Sequence, residues 1–241
     1  MAGRAQGAVL GGSAIGRWDA MMCAGKERGP PVLGRSRGAS WLAPLLIVVV
    51  EGHLVEEMLR RGVGPGLAGE RCPGCDGRLV GWGAYRRLVR WGARVLAFGV
   101  RRCRCRPCGV SHALLPAFLV AGRMDLASAI GTALGMGAAG RGYRPIAVLL
   151  GAPETTVRGW LRRLRARAAG LRALFVRLAL RLGAQTGRSP PPEGVLAWLL
   201  DAIASAHRVA RQRLGTSVCE CVWSFSSAAS GGLWLANTDA P

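Results

Sequence analysis

Two cysteine pairs constrain this chain more than any other feature. Cys72-Pro73-Gly74-Cys75 and Cys105-Arg106-Pro107-Cys108 are C-x2-C motifs, and 29 residues separate them. Two residues between ligands let the backbone turn so that both sulfurs face one ion, and two such turns complete a tetrahedral, structural shell of four thiolates. Gly74 and Gly109 supply the backbone freedom that these turns use. The spacing therefore predicts a structural Zn²⁺ ion bound by Cys72, Cys75, Cys105 and Cys108.

Three alternatives bear on these ligands. A redox C-x-x-C site is disfavoured, because neither pair opens a helix after a buried strand. Cys103 lies two residues before Cys105, so in a strand it faces the same side and could replace Cys105 as a ligand. Cys105 is preferred because it keeps the C-x2-C geometry. His112 could enter the shell, but four thiolates already fill it, so a surface or strand-end histidine is expected there.

The 29 residues between the cysteine pairs are predicted to fold as a hairpin or a three-stranded ribbon. Strand-like stretches lie at Arg78–Trp82, Tyr85–Trp91 and Val95–Cys103. The core available to so short a segment is small. Metal binding is therefore expected to supply much of its folding free energy, on the order of 10 kcal/mol.

Charge and cysteine content narrow the class of protein. The formal net charge is +20, and of the 33 basic residues only Lys26 is a lysine. Such a field attracts nucleic acid, although a GC-rich gene would also enrich arginine without any ligand. Eight cysteines are too few for a disulfide-dense secreted scaffold. No signal peptide is evident, and the apolar run Trp41–Val50 is half the length of a membrane span. These features predict a reduced, cytoplasmic protein.

The predicted fold class is α+β, with a small β zinc ribbon followed by a mainly α region. Residues 1–40 are expected to be disordered or an over-extended start, 41–70 to form a strand and a helix, and 71–118 the four-cysteine ribbon. Helices are expected at about 125–139, 144–150 and 154–182 within 123–183, with Gly170 as a place where the last one could break. A Pro-rich linker at 184–193 precedes a C-terminal helical segment at 194–241, where Cys219 and Cys221 are expected to be small apolar fillers.

Two short apolar stripes between Arg141 and Arg167 match a helix-turn-helix. The first contains Ile146, Ala147 and Leu150, and the second contains Val157, Trp160, Leu161 and Leu164. Gly151-Ala152-Pro153 makes the turn, and Pro153 suits the first position of the second helix. A recognition helix must bury one face and present the other to the major groove of double-stranded DNA.

The free face of this second helix is arginine-rich. Arg158, Arg162 and Arg165 recur at spacings of four and three, so they line one side. The predicted DNA contacts are Arg141, Arg144, Thr155, Thr156, Arg158, Arg162, Arg163 and Arg165. A solvated basic face on an ordinary bundle helix is the competing interpretation. Farther along, Arg172, Arg177 and Arg181 could instead touch anionic lipid or a partner helix.

The segment from Cys72 to Arg167 resembles a bacterial family of uncharacterised zinc-ribbon plus helix-turn-helix proteins. The runs CPGC, GWGAYRR, RCRPCGVSHALLPAF and AAGRGYRPIAVLLGAPETTVRGWLRR carry the resemblance. Many members of that family resemble the DNA-recognition region of transposases. The resemblance implies a transposase-like or regulatory DNA-binding role in a bacterial, nucleoid-associated protein. It also implies zinc ligands at the same four cysteines, and Cys103 departs from its pattern.

No catalytic centre is expected. Strand transfer needs clustered carboxylates that hold Mg²⁺, whereas the acids after residue 125 are scattered. The sequence therefore predicts a DNA-binding module or transcriptional regulator that is not an enzyme, with a homodimer or a transposase partner left open and no membrane contact. The alternative is a structural or partner-binding protein whose basic helix docks on an acidic protein or a membrane surface.

Overall fold

The chain folds as α+β, with a four-stranded sheet followed by helices, in a computed structural model that describes residues 45–184, 193–215 and 218–235. The predicted fold class is thereby confirmed. The disorder expected over residues 1–40 and the proline-rich part of the expected linker lie outside these ranges. Within them, no helix has both the length and the apolar character needed to cross a bilayer.

The sheet has the strand order β1-β4-β3-β2. Strand β1 (Leu45–Val48) is followed by helix α1 (Gly52–Arg61) and then by β2 (Leu79–Trp91), β3 (Arg94–Cys105) and β4 (Ser111–Pro116). β2, β3 and β4 pair antiparallel, whereas β1 pairs parallel with β4, with Leu45 opposite Ala113. In the sequence, the cysteine-rich segment therefore lies between β1 and β4, two strands that pair with each other.

The residues between the cysteine pairs form one long hairpin of two strands. The stretches expected at Arg78–Trp82 and Tyr85–Trp91 are a single strand, β2, whose register against β3 shifts between Gly81 and Ala84. Gly83 within this irregularity has a φ of +99°. A β-bulge adds a residue to one strand without ending the pairing. The break between the two stretches in the sequence pattern is thus a bulge rather than a turn.

Five helices form the second half of the described chain. They are α2 (Ala127–Ala138), α3 (Tyr143–Leu150), α4 (Glu154–Arg181), α5 (Val195–Leu214) and α6 (Val222–Ala229). α4 runs through Gly170 without a break, and Pro153 is its N-cap rather than its first residue. Gly151, at the C-terminus of α3, takes a left-handed φ of +60° and lies beside Ala93 at the tip of the β2–β3 hairpin.

Two apolar cores meet near the start of α2. The helices pack around Trp160, Phe175, Phe225 and Trp234, while Phe98 and Phe118 centre a smaller core against the sheet. Cys219 is buried in the helical core as expected, but Cys221 is exposed, so its expected role as a filler is wrong. Cys221 is the N-cap of α6, where its side chain points away from the core.

A buried ion pair joins the hairpin to the helical half. Arg90 Nη1 of β2 lies 2.7 Å from Asp125 Oδ1, just before α2, and both side chains are largely buried. The backbone N–H of Arg90 also donates to the carbonyl of Met124. Burial raises the pKa of Asp125, and the Arg90 charge opposes that rise. The pair thus fixes how the helices attach to the outer edge of β2.

A Gly131→Ala substitution is expected to destabilise the helical core. A Cβ on Gly131 would overlap the indole ring of Trp223, which stacks on Trp234 with ring centroids 6.0 Å apart. Overpacking of this kind typically costs about 1–3 kcal/mol. Chemical denaturation would measure the loss. Gly135→Ala, one turn later with nothing near its added Cβ, is the matched control and is expected to gain up to about 1 kcal/mol. Equal effects of the two substitutions would contradict this packing.

Candidate metal centre and basic helix

Four cysteine sulfurs converge at one end of the hairpin. The Sγ atoms of Cys72, Cys75, Cys105 and Cys108 all lie within 4.8 Å of one another. The Sγ atoms of Cys72 and Cys108 are 3.6 Å apart, and those of Cys75 and Cys105 are 3.4 Å apart. The structure thus brings together the four predicted ligands, which form a candidate metal site.

Both C-x2-C turns have the same backbone hydrogen bonds. In the first turn, Asp76 N–H donates to Cys72 O, and Cys72 N–H donates to Gly77 O. In the second turn, Gly109 N–H donates to Cys105 O, and Cys105 N–H donates to Val110 O. This repetition indicates two copies of one ligand-presenting turn.

The residue after each second cysteine takes the left-handed conformation. Gly109 has a φ of +72°, and Asp76 has a φ of +56°. The conformational role expected of Gly74 therefore belongs to Asp76, since aspartate is one of the few side chains that tolerate this region. Gly77 then allows the two turns to approach, because a Cβ there would come within 2.7 Å of Pro107 Cγ and 2.9 Å of Cys105 Sγ.

Hydrogen bonds from peptide N–H groups lower the pKa of a thiol in this cluster, whereas burial raises it. Hydrogen bonding from the Val110 N–H lowers the pKa of Cys108 to about 7. Burial raises the pKa of Cys105 to about 12, and burial also raises the pKa of Cys72. Two of the thiols therefore hold their protons at neutral pH until a cation replaces them, so metal binding releases protons.

Cys103 and His112 lie beside the site. Cys103 is directly opposite His112 across β3 and β4, is fully buried, and is not one of the four converging cysteines. The structure thus favours Cys105 over Cys103 as the metal ligand. His112 lies at the start of β4, as expected of a strand-end histidine, but the expected surface position is wrong. It is 2% exposed, and its Nε2 lies 3.5 Å from Cys72 Sγ. With a proton on Nε2, it donates to that sulfur and orients it, as partners of metal ligands commonly do.

The basic side of α4 is a second candidate surface. Thr155, Arg158, Arg162 and Arg165 are exposed along one side, while Val157, Trp160, Leu161 and Leu164 are buried against the other helices. Of the other predicted contacts, Arg141 is exposed, and Arg144 forms an exposed ion pair with Glu154 at 3.5 Å. Thr156 and Arg163 are half-buried, and Arg163 already contacts other groups of the chain.

Residues 72–135 match the profile of DUF6431, a domain of unknown function. The match spans about a quarter of the chain, from the first cysteine of the cluster into α2. No curated protein and no solved structure matches the chain. The similarity to DUF6431 thus includes the candidate metal site and ends before α3 and α4.

Proposed function

We propose that this chain is a zinc-stabilised helix-turn-helix protein that binds double-stranded DNA through α4, as a transposase-related recognition module or a transcriptional regulator. The observation that carries the proposal is the exposed row of Thr155, Arg158, Arg162 and Arg165 along a helix whose opposite side is buried. We define these four residues as the α4 row. The role of the cysteine cluster is then to stabilise the hairpin against which the turn before α4 lies.

The donor set favours zinc as the metal. Four thiolates in a closed shell are typical of structural zinc, whereas magnesium and calcium prefer oxygen ligands. A tetrahedron with Zn–S bonds of about 2.3 Å has sulfur–sulfur edges of about 3.8 Å. The sulfur pairs at 3.4 and 3.6 Å are close to that value, so a small outward movement accommodates the ion.

The arrangement of α3 and α4 is suited to DNA recognition. Three residues, Gly151 to Pro153, connect the helices, as in helix-turn-helix proteins. The α4 row extends about 15 Å along the helix at 1.5 Å per residue. That length covers several base pairs of a major groove, and its first residues lie at the helix N-terminus, which such proteins direct at base edges.

The charge of the α4 row is not neutralised by the described residues. The only acid in α4 is Glu154, which pairs with Arg144, and no described carboxylate forms an ion pair with Arg158, Arg162 or Arg165. Arg158 and Arg144 both lie beside the ring of Tyr143, at 5.9 and 5.8 Å from its centroid. A guanidinium held this way can pair with phosphate or with guanine at a reduced entropic cost.

The described acids of the helical half do not form a cluster that could hold a metal ion. The acid in α4, Glu154, is already paired with Arg144, and the later described acids Glu193, Asp201 and Glu220 are scattered. We therefore propose recognition of DNA without a catalytic centre of the chain's own. Mg²⁺-dependent nuclease activity that copurifies with the wild type and is lost when one of these acids is changed would contradict this part of the proposal.

An Arg158→Ala/Arg162→Ala variant is expected to bind duplex DNA at least tenfold more weakly than the wild type. A specific arginine contact to DNA contributes about 1–3 kcal/mol to the binding free energy. Each lost phosphate contact reduces the slope of log affinity against log salt concentration by about one. Fluorescence anisotropy of a labelled random duplex, repeated over a salt series, measures both the affinity and the slope.

The matched control is Arg60→Ala/Arg61→Ala. It removes the same charge from α1, where both arginines are exposed and already pair with Glu56 or Glu57. Its affinity for duplex is expected to stay within about threefold of the wild type, because exposed and paired charges contribute little. If both double variants weakened DNA binding equally, the binding would be a non-specific attraction to positive charge and not recognition by α4. Unchanged binding by Arg158→Ala/Arg162→Ala would overturn the proposal that α4 contacts the DNA. A liposome or pull-down signal from a wild type that binds no duplex would favour a membrane or acidic protein partner.

A further inference from the structure

Exposed aromatic and basic side chains lie together on the β2–β3 hairpin. Trp82, within the bulge, and Tyr85, just after it, are 52% and 40% exposed although both are large aromatic residues. A groove of about 630 Å³ at the bulge is lined by Tyr85, Arg86, Arg101 and Arg102, among others. Tyr85 is opposite Val100 in the register, so it shares a face of the hairpin with Arg102 and Arg104. We define the hairpin platform as Trp82, Tyr85, Arg102 and Arg104.

The Trp82 ring is held in place rather than loosely exposed. The Arg104 guanidinium lies 4.8 Å from the centroid of the Trp82 ring. Arg104 Nε also donates a hydrogen bond of 3.1 Å to the carbonyl of Gly109, in the second cysteine turn. The candidate metal centre thus supports the arginine that orients the indole, which leaves much of the ring accessible.

The charge around the platform is of one sign. Ten arginines and no acidic residue lie between Asp76 and Asp125. No described carboxylate forms an ion pair with Arg86, Arg101, Arg102 or Arg104. An apolar or acidic protein segment would not need this concentration of guanidinium groups beside exposed rings, whereas a polyanion with flat apolar groups uses both features.

Unpaired bases fit this surface better than a duplex does. In a duplex the base faces are stacked on one another, so an exposed indole or phenol ring has no base face to contact. In a single strand every base offers a π-face, and arginines beside the rings neutralise the phosphates between them. We propose that the hairpin platform binds single-stranded DNA by stacking bases on Trp82 and Tyr85. Its ligand is separate from the duplex proposed for α4, so the two proposals can fail independently.

The test is binding of a fluorescein-labelled oligo(dT) of about 12 nucleotides to the zinc-loaded full chain, measured by anisotropy. A Trp82→Ala/Tyr85→Ala variant is expected to bind at least about fivefold more weakly, since each stacked base contributes roughly that factor or more. An abasic strand of the same length is expected to bind the wild type more weakly than oligo(dT), and the difference is expected to disappear in the variant. Zinc content and far-UV circular dichroism confirm that the variant folds.

Trp198→Ala is the matched control. Trp198 is also partly exposed and lies beside an arginine, with Arg172 at 5.0 Å from its ring centroid, but it is on α5. Its loss is expected to change oligo(dT) affinity by less than twofold. Arg158→Ala/Arg162→Ala is expected to leave the preference for oligo(dT) over the abasic strand intact. Equal binding of abasic and base-carrying strands by the wild type, or equal losses for the Trp198 and Trp82/Tyr85 variants, would overturn stacking. Tighter binding of oligo(U) than of oligo(dT) would overturn the assignment to DNA.

Discussion

A Cys75→Ser variant is expected to lose zinc and, with it, the fold of the β2–β3 hairpin. Cys75 lies in the exposed first turn, so replacement of its sulfur by oxygen changes little apart from the ligand. The segment has a small core, and binding of a structural zinc ion contributes on the order of 10 kcal/mol to folding in comparable peptides. Zinc per chain after dialysis against a chelator of known affinity measures the first effect, and limited proteolysis within 72–116 measures the second.

Two other cysteines give matched controls for this expectation. Cys221→Ser changes another exposed cysteine outside the cluster, and it is expected to keep one zinc ion per chain. Cys103→Ala tests the ligand register, because Cys103 is buried beside the cluster without belonging to it. Retention of tightly bound zinc by Cys75→Ser would contradict the four-thiolate site. Loss of zinc from Cys103→Ala but not from a Cys105→Ala variant would instead place the ligand at residue 103.

An Arg90→Met variant is expected to lose about 3–5 kcal/mol of stability. The substitution leaves Asp125 buried without the guanidinium that now lies 2.7 Å from its Oδ1. Such a deficit lowers the melting temperature of a chain of this size by roughly 10 °C. Chemical denaturation in zinc-saturated buffer measures it. Since the cost arises from an uncompensated buried charge, an Arg90→Met/Asp125→Leu double variant is expected to recover most of the loss.

The control for this prediction is Arg60→Met. Arg60 pairs with Glu56 and Glu57 on the exposed side of α1, so its loss is expected to cost less than about 1 kcal/mol. Equal losses of stability from Arg60→Met and Arg90→Met would contradict the prediction that the buried ion pair contributes more than the exposed one.

The pH dependence of Arg90→Met has a definite sign. Burial raises the pKa of Asp125, and without Arg90 that pKa rises further. A carboxyl whose folded pKa exceeds its unfolded value favours the folded state at low pH and loses that contribution as pH rises through the folded pKa. The deficit of Arg90→Met is therefore expected to be smaller near pH 5 than at pH 7.

The cysteine cluster and the helices could be predicted because their signals are local. Two residues between cysteines determine a turn, and the apolar stripes of α3 and α4 follow the helical period over a few residues. This period alone predicts that Ile146, Val157 and Trp160 lie on the inner side, and all three are buried. That α4 binds DNA stays a prediction.

The features that the sequence did not indicate depend on pairings between distant segments. His112 lies next to Cys72 because β4 pairs with β3, placing His112 opposite Cys103. The Arg90–Asp125 pair exists because residues 124 and 125 lie along the outer edge of β2. The bulge between Gly81 and Ala84 interrupts the alternation of side chains, so the sequence pattern predicts two strands where the structure has one.

The parallel pairing of β1 with β4 has a consequence for the order of assembly. Leu45 lies opposite Ala113, so β1 can join only after β4 is in place, and β4 is positioned by β3 and by the second cysteine turn. Closing the long loop between these strands is entropically unfavourable unless the intervening segment is already compact. Binding of the proposed metal ion would compact that segment. We therefore expect β1 to pair last during folding, and to pair sooner when the metal is supplied.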